Sequence, residues 1–551
     1  MLIKHRSPIF EQSDRFISEL AELSPSFATE IGASSGQNKF DDYSTAGAAI
    51  LVEFLQKHLE VFQSLAPIDD IDRIAAKFHI ERFNGILATL RTHERLKSWG
   101  VINSPVMELR SLFELMPAGT PENLETISQR MSQVGIALAT WTAGLADVSA
   151  LGGINSRSKV QLVIELLEGM SQGSYSEFAL RVDPEEVLIE LHQNARAADQ
   201  ACLVTAEWLK KNYLPVSGQH DGVGQESYQK WAKYWTGADL DLRETYEWGL
   251  ADLKAINERM WGLASKIKPD AKTLRELADH LDNDPKYKIQ GTDELLRRLR
   301  EFTDEAVRQM DGVHFDIDDR IKFCDVKLAP EGGAAAPYYN GPTEDLSRPG
   351  TTWFPTLGKD EFIWWLQPST WYHEAVPGHH LQLATMTLES ERLSRYQRID
   401  GSGGLIEGWA LYAERFMDEL GAYDSDAGIE LGFLAAQAMR AARVVVDIGL
   451  HLGYEDPHGR VWNSESAYDL IYNNALRPSE FARSEVERYL AMPAQAISYK
   501  VGERFWMNAR SDAQARLGDR FDMKKFHAFA FKLGALGLDQ FAAEMTKWDG
   551  N

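Results

Sequence analysis

Residues 369–383 read STWYHEAVPGHHLQL, and this stretch decides how the chain is interpreted. His373 and Glu374 stand next to each other, and two further histidines follow at His379 and His380. In the common zinc-binding pattern H-E-x-x-H, a four-residue step puts both imidazoles on one helical face, with the glutamate beside them as general base. Here the second histidine comes two residues later than that pattern requires.

A regular helix cannot make a zinc site from these residues. A six-residue step turns His379 about 240° away from His373, and a seven-residue step moves His380 about 10.5 Å along the axis, too far for zinc bonds of about 2 Å. Pro377 removes an intrahelical hydrogen bond, and Gly378 relaxes the backbone. We therefore predict a two-residue bulge that brings His379 into the second ligand position. His380 stays an alternative ligand or a hydrogen-bonding neighbour.

The third ligand of a catalytic zinc site is expected from the segment GSGGLIEGWALYAERFMDEL at 401–420. Glu407 lies 34 positions after His373, within an otherwise apolar stretch. Burying an unpaired carboxylate there is costly, and metal ligation explains its presence. Glu414 follows two turns later on the same face. It is an alternative ligand or a carboxylate that orients a histidine.

Helical periodicity dominates the rest of the chain. An apolar stripe over 124–145 predicts one long helix after Thr120-Pro121, and Asp183-Pro184-Glu185-Glu186 predicts another helix start. Similar stripes predict helices at 46–63, 240–265, 293–311, 428–450 and 523–546. These apolar residues are expected to form core.

Extended structure is predicted at two short segments only. Residues 319–328 alternate imperfectly, which suggests a bulged strand, and residues 350–357 read as an edge strand because of Pro355. The Gly/Pro-rich loop between them is expected to be ordered, since aromatic pairs are unusual in a flexible spacer. The chain is therefore predicted to be all-α (mainly helical) with a small β element, forming a single domain over 1–551.

Composition excludes several classes of partner. The 551 residues include 82 acidic and 58 basic side chains, a formal charge of −24, which argues against nucleic acid and anionic membranes as partners. The apolar stretch Ile136–Ile154 contains Asp147, so a buried helix is favoured over a membrane span.

The only cysteines, Cys202 and Cys324, form no CxxC pair, and no apolar leader is visible. We therefore expect a cytoplasmic location.

The motif segments resemble the DUF885 family of bacterial proteins, predicted zincin-type metalloproteins. HEAVPGHHLQ followed by EGWALYAE resembles the family signature. The likeness extends to SPSFATEIG at 24–32, PYYNGPTEDLSRPG at 337–350 and ERYLAMPAQAISYKVG at 487–502. More distantly, the arrangement resembles gluzincins such as M32 carboxypeptidases, angiotensin-converting-enzyme-like peptidases and dipeptidyl-peptidase III. Two positions depart from the family pattern, because Leu346 and Ala494 stand where glycine is usual.

This resemblance implies an all-helical fold in which a helical part, 1–315, and a metal-site part, 316–551, face one cleft with Zn²⁺ at its floor. Glu374 would take a proton from the attacking water. Tyr499 is the preferred donor to the developing oxyanion, with a core aromatic as the alternative. Arg488 and Arg348 are candidates for holding a substrate carboxylate, unless they form ordinary salt links.

The sequence thus predicts a zinc metallopeptidase acting on small peptides. Tyr338 and Tyr339 are expected to line the cleft wall. Two other functions stay open, a zinc hydrolase of a non-peptide amide or ester, and a catalytically silent helical protein with a structural metal.

Overall fold

The computed structural model describes residues 7–329 and 336–551, and most of them are helical. The helices of the N-terminal part are α1 Pro8–Leu23, α2 Pro25–Glu30, α3 Thr45–Ser64, α4 Asp70–Arg91, α5 Glu94–Lys97, α6 Pro105–Leu115, α7 Pro121–Met131, α8 Val134–Ala150, α9 Arg157–Met170, α10 Ser174–Val182, α11 Ile189–Trp208, α12 Gly224–Thr236, α13 Leu242–Gly262, α14 Ala264–Ile267, α15 Leu274–Asn283 and α16 Thr292–Met310. Those of the C-terminal part are α17 Gln367–Glu374, α18 His379–Leu388, α19 Arg395–Ile399, α20 Gly403–Glu419, α21 Ala427–Leu452, α22 Ser464–Ala475, α23 Ser479–Ala491, α24 Ser498–Leu517, α25 Met523–Lys532 and α26 Leu538–Met545. The mainly helical fold is confirmed.

A local sequence signal places the start of α7 correctly, whereas two other predicted helix bounds are wrong. The Thr120 hydroxyl accepts the N–H of Asn123 at the start of α7, as the Thr-Pro signal predicts. The single long helix predicted over 124–145 is wrong, because the chain divides at 132–133 into α7 and α8. The predicted start at Asp183 is also wrong. Its carboxylate accepts the N–H groups of Val187 and Leu188 in a turn, so the helix begins only at Ile189.

The strands are β1 Lys288–Gln290, β2 Asp325–Leu328, β3 Tyr338–Asn340, β4 Thr351–Phe354 and β5 Glu361–Ile363. β1 pairs with β5, and the second sheet has the order β2-β4-β3, with β2 parallel and β3 antiparallel to β4. The predicted bulged strand at 319–328 is corrected, since 319–321 forms a 3-10 turn. The predicted edge strand is also corrected, because β4 is central and Pro355 lies just beyond it.

Two large apolar cores hold most of the helices together. The smaller core belongs to the segment from Leu96 to Tyr213 and centres on Trp99 and Trp141, whose rings meet edge to face. The stretch over Ile136–Ile154 is largely α8 in this core, and no helix in the two described ranges is long and apolar enough to cross a membrane. The larger core joins helices from both ends of the chain and surrounds α17, α20, α21 and α24. The division at 315 and 316 into two parts stays a prediction.

α20 and α24 cross at very short distance, and this crossing positions the site. Glycines make the approach possible, since a Cβ on Gly502 would lie 1.9 Å from the carbonyl oxygen of Gly404. A Cβ on Gly408 would lie 2.4 Å from the carbonyl carbon of Gly502. Any larger residue at the contact would push the two helices apart. The crossing brings Glu407 of α20 and Tyr499 of α24 to the same side of α17.

Candidate metal centre

The HEAVPGHH segment forms two helices rather than one helix with a bulge. α17 ends at Glu374, residues 375–378 are not helical, and α18 begins at His379. The peptide bond between Val376 and Pro377 is cis. Gly378 is required at the break, because a Cβ there would lie 1.9 Å from the carbonyl oxygen of His373. The predicted bulge is therefore corrected to a helix break, which starts the second helix at His379 in a new direction.

A tryptophan from α20 holds this break in place. The indole N–H of Trp409 donates to the carbonyl oxygens of Pro377 and Gly378, at 2.9 Å and 3.2 Å. The Pro377 carbonyl lies at the interruption between α17 and α18, and the Gly378 carbonyl also accepts the N–H of Gln382 in α18 at 3.2 Å. Trp409 lies two residues after Glu407 on α20, so the contact also sets the position of that carboxylate relative to the histidines.

The three residues predicted as metal ligands come together. One ligand atom from each of His373, His379 and Glu407 lies within 4.8 Å of the other two. Oε2 of Glu407 is 3.2 Å from Nε2 of His373 and 3.4 Å from Nε2 of His379. Two imidazole nitrogens and a carboxylate oxygen are the ligand set of many catalytic zinc sites. Both histidines are buried, while the Glu407 side chain remains 21% exposed, so solvent reaches the group from that side.

The surroundings of the three residues fit a bound cation. Two further carboxylates, those of Glu414 and Glu374, are buried close to Glu407. Burial lowers the pKa of His373, but hydrogen bonds to Glu407 and Glu414 outweigh it and raise that pKa to about 9. The carboxylates around His373 therefore favour a positive charge at this place, and a divalent metal ion would supply one. Nδ1 of His379 is buried and has no hydrogen-bond partner within the part of the chain that the structure describes.

Glu414 and His380, the two alternative ligands, have other partners. Glu414 accepts from Nδ1 of His373 at 2.8 Å and from the hydroxyl of Ser369, so it orients the imidazole from behind. His380 lies 2.8 Å from the carbonyl oxygen of Ile321 and 3.0 Å from the hydroxyl of Tyr339. Burial lowers the pKa of His380 to about 4, so its neutral ring donates to the carbonyl and accepts from the hydroxyl. Both of its nitrogens are thus engaged away from Glu407.

Glu374 and Tyr499, the two predicted catalytic residues, both lie next to His373, and their catalytic roles stay predictions. Glu374 follows His373 directly, is 7% exposed, and has its pKa raised by burial, which suits a general base. The Tyr499 ring stacks on the His373 ring, with centroids 6.2 Å apart and planes 18° from parallel. Burial and then the charge of Glu407 raise the pKa of Tyr499, so its hydroxyl keeps a proton to donate.

The four residues that were predicted to contact a substrate lie at different distances from the site. Arg488 lies near Tyr499 but pairs with Glu485 at 3.2 Å. Arg348 is exposed and donates to carbonyl groups of its own loop. Tyr339 contacts His380, and Tyr338 stacks on Trp353 with centroids 6.1 Å apart. The described contacts therefore bring Arg488 to Tyr499 and Tyr339 to His380, and they leave Arg348 and Tyr338 in the loop and sheet.

Sequence analysis missed three arginines beside the site. Arg440 and Arg443 are buried on α21, and Arg443 lies over the Tyr499 ring at 4.8 Å from its centroid. Arg477 follows α22 and donates to the hydroxyl of Thr370 on α17 at 3.4 Å. The signal that singled out Glu407, a charge in an apolar helical run, was also present at Arg440 and Arg443 in AAQAMRAARVVVDIGL.

Known proteins with related sequences or folds agree with this picture at the level of family and fold. The sequence matches the family described as "Bacterial protein of unknown function (DUF885)" over residues 25–545. Two solved structures share the fold. "The crystal structure of the putative lipoprotein from Colwellia psychrerythraea" has a TM-score of 0.84 and 22% identity, covering 98% of each chain. "The structure of a putative lipoprotein of unknown function from Shewanella oneidensis" has a TM-score of 0.78 and 17% identity, covering 98% of this chain and 100% of the other.

No curated protein matches the sequence. The family match spans nearly the whole chain and includes the HEAVPGHH and EGWALYAE segments that supply the grouped histidines and glutamates. This chain therefore belongs to the DUF885 family.

Proposed function

We propose that this protein is a zinc-dependent metallopeptidase that hydrolyses small peptides. The observation that carries the proposal is the grouping of His373, His379 and Glu407 within 4.8 Å, directly beside the buried carboxyl group of Glu374. Three protein ligands with one position left for water are typical of catalytic zinc, whereas structural zinc usually has four protein ligands. Within the described residues the group has three members, which favours catalysis over a structural role.

When bound, zinc supplies a Lewis acid that polarises a carbonyl group and makes water more acidic. Glu374 accepts a proton as water adds to the peptide carbonyl, and it passes that proton to the amine when the C–N bond breaks. The Tyr499 hydroxyl donates a hydrogen bond to the oxygen that gains negative charge. Glu414 holds the His373 ring in its orientation throughout.

The proposal includes a relationship to the gluzincins and a small peptide as partner. Its support is the HE pair with an inserted helix break and the glutamate that comes from a following helix. Nucleic acid and membranes are not proposed partners, because the chain carries a formal charge of −24. A cytoplasmic location is proposed from the two free cysteines. The names of the two structural relatives, by contrast, contain the words "putative lipoprotein".

Peptide cleavage tests the proposal directly. The purified protein is incubated with a library of short peptides, with and without a chelator, and its zinc content is measured by elemental analysis. We expect about one zinc per chain and cleavage that the chelator abolishes and added zinc restores. Glu374→Gln should retain zinc but lose cleavage, while Glu389→Gln, a partly buried glutamate at the end of α18, should keep both. Full activity of Glu374→Gln would end the proposal.

A further inference from the structure

Arg477 lies beside α17, where it makes a long hydrogen bond. Its guanidinium donates to the hydroxyl of Thr370 at 3.4 Å. Among the residues that the structure describes, no carboxylate oxygen forms an ion pair with it within 4.0 Å. Burial and then the neighbouring charge of Arg440 lower the pKa of Arg477 to about 10, although the charges of Asp282, Glu414 and Glu485 act in the opposite direction. A partly buried guanidinium that no carboxylate contacts directly is unfavourable, and a ligand carboxylate in contact with it would offset that cost.

The neighbouring arginines differ in how closely carboxylates pair with them. Glu485 pairs with both Arg443, at 2.6 Å, and Arg488, at 3.2 Å. Arg440 is only 7% exposed, and among the described residues its one ion pair is a 3.7 Å contact with Glu414, which also binds His373. Nε of Arg440 has no hydrogen-bond partner in the described ranges. Arg477 and Arg440 therefore combine two nearby positive charges with unused donors.

The position of Arg477 relative to Glu374 indicates how many peptide residues fit between the two side chains. Thr370 precedes Glu374 by four residues on α17, so the two share a helical face about 6 Å apart along the axis. A peptide backbone extends by about 3.3–3.6 Å per residue. A carboxylate held at Arg477 would thus lie one or two residues beyond a peptide bond held at Glu374.

We propose that Arg477, together with Arg440, binds the free C-terminal carboxylate of a peptide, so that the enzyme removes one or two residues from that end. The inference rests on the proposed peptidase function and specifies its substrate class. A guanidinium matches a carboxylate in bidentate geometry, which an amide cannot reproduce. It also gives a function to a local concentration of positive charge in a protein whose formal charge is −24.

Matched peptides with a free or an amidated C-terminus test the proposal on the wild-type protein. N-acetylated tripeptides of identical sequence are compared as acid and amide, and we expect kcat/KM to fall about tenfold to a hundredfold for the amide. Arg477→Met should bring the acid-to-amide ratio close to one. Arg483→Met, an exposed arginine on the adjacent α23, should leave the ratio unchanged. Equal cleavage of acids and amides by the wild-type protein would overturn the carboxylate site while leaving the peptidase proposal intact.

Binding supplies a readout that does not depend on turnover. The same peptides are titrated calorimetrically into the Glu374→Gln protein. We expect the acids to bind at least tenfold more tightly than the amides, and Arg477→Met in that background to remove the difference. Carboxylate-dependent binding without any cleavage by the wild-type protein would support the site and contradict the peptidase function. Equal affinity, or no binding of the acids, would overturn the site.

Discussion

Nδ1 of His373 donates to Oε1 of Glu414 at 2.8 Å, and Glu414 lies two helical turns after Glu407 on the same helix. One helix therefore places a carboxylate on each side of the imidazole. Glu414 orients the ring, and Glu407 meets its other nitrogen, Nε2. Such carboxylate–histidine pairs fix the ring and strengthen its basicity as a ligand.

The first prediction concerns this pair. Glu414→Gln removes the negative charge behind His373 and should weaken zinc affinity by about tenfold or more. Affinity is measured by competition with a chelator of known strength, with Glu389→Gln as the control. Circular dichroism before the titration verifies folding, because Glu414 also contacts Ser369 and Arg440. Unchanged zinc affinity in a folded Glu414→Gln protein would show that the ring does not need this partner.

The second prediction concerns the oxyanion donor. Tyr499→Phe keeps the ring that stacks on His373 but removes the hydroxyl. We expect kcat to fall by about a hundredfold or more with a smaller change in KM, since the hydrogen bond strengthens as charge develops. Steady-state kinetics on a cleaved library peptide measure this. Tyr468→Phe, a partly buried tyrosine that stacks on Tyr472, is the control. Equal kcat for Tyr499→Phe and wild type would assign Tyr499 to packing alone.

The third prediction concerns the crossing of α20 and α24. The methyl group of Gly502→Ala would meet the carbonyl oxygen of Gly404, so the helices that carry Glu407 and Tyr499 must separate. We expect the free energy of unfolding to fall by about 1–3 kcal/mol, with a loss of activity. Urea denaturation measures it. Gly262→Ala at the end of α13, where a Cβ meets nothing within 4 Å, should be neutral or stabilising. Equal stability of the two variants would contradict the close crossing.

The fourth prediction concerns the positions where the family resemblance calls for glycine. Leu346 has φ +59° and Ala494 has φ +65°, both in the left-handed region. A change to glycine removes the strain of this backbone conformation, which stabilises the folded state by about 1–2 kcal/mol. Glycine loses more backbone entropy on folding, which costs about 0.5–1 kcal/mol. Leu346→Gly should therefore raise the free energy of unfolding by about 0.5–1 kcal/mol in thermal denaturation. Leu346→Ala, which keeps a Cβ, should give no gain, and a similar gain from both would refute the backbone explanation.

The fifth prediction concerns pH. Burial raises the pKa of Asp447 to about 7, although Tyr228 and the N–H of Ala494 donate to it. The folded state binds this proton more tightly than the unfolded state. The stabilisation is therefore complete below about pH 4 and is lost as the pH rises through 7. Asp447→Asn cannot ionise, so its free energy of unfolding should fall less between about pH 5 and pH 8. Parallel slopes for variant and wild type in urea denaturation would contradict this.

Much of the fold was predictable because its signals are local. Apolar periodicity located α3, α13, α16 and α21 to within a few residues, since a helix needs one continuous apolar face. The errors arose where a local turn or the pairing of distant segments outweighed the preference that the sequence pattern indicated. Asp183 has the composition of a helix start, yet its carboxylate caps a turn instead. Pro355 suggested an edge strand, but it lies just outside a central one.

The candidate site divides in the same way. The sequence by itself determined that His373 and a second histidine could not form a metal site on one regular helix. Helical geometry does not depend on the rest of the protein. The sequence also singled out Glu407, because an unpaired carboxylate in an apolar run needs a partner. Only the tertiary structure placed His379, rather than His380, beside His373 and Glu407, because His380 contacts Ile321 and Tyr339. It alone brought Arg440 and Arg477 beside α17. Such placements depend on contacts between residues far apart in the chain, which no local pattern encodes.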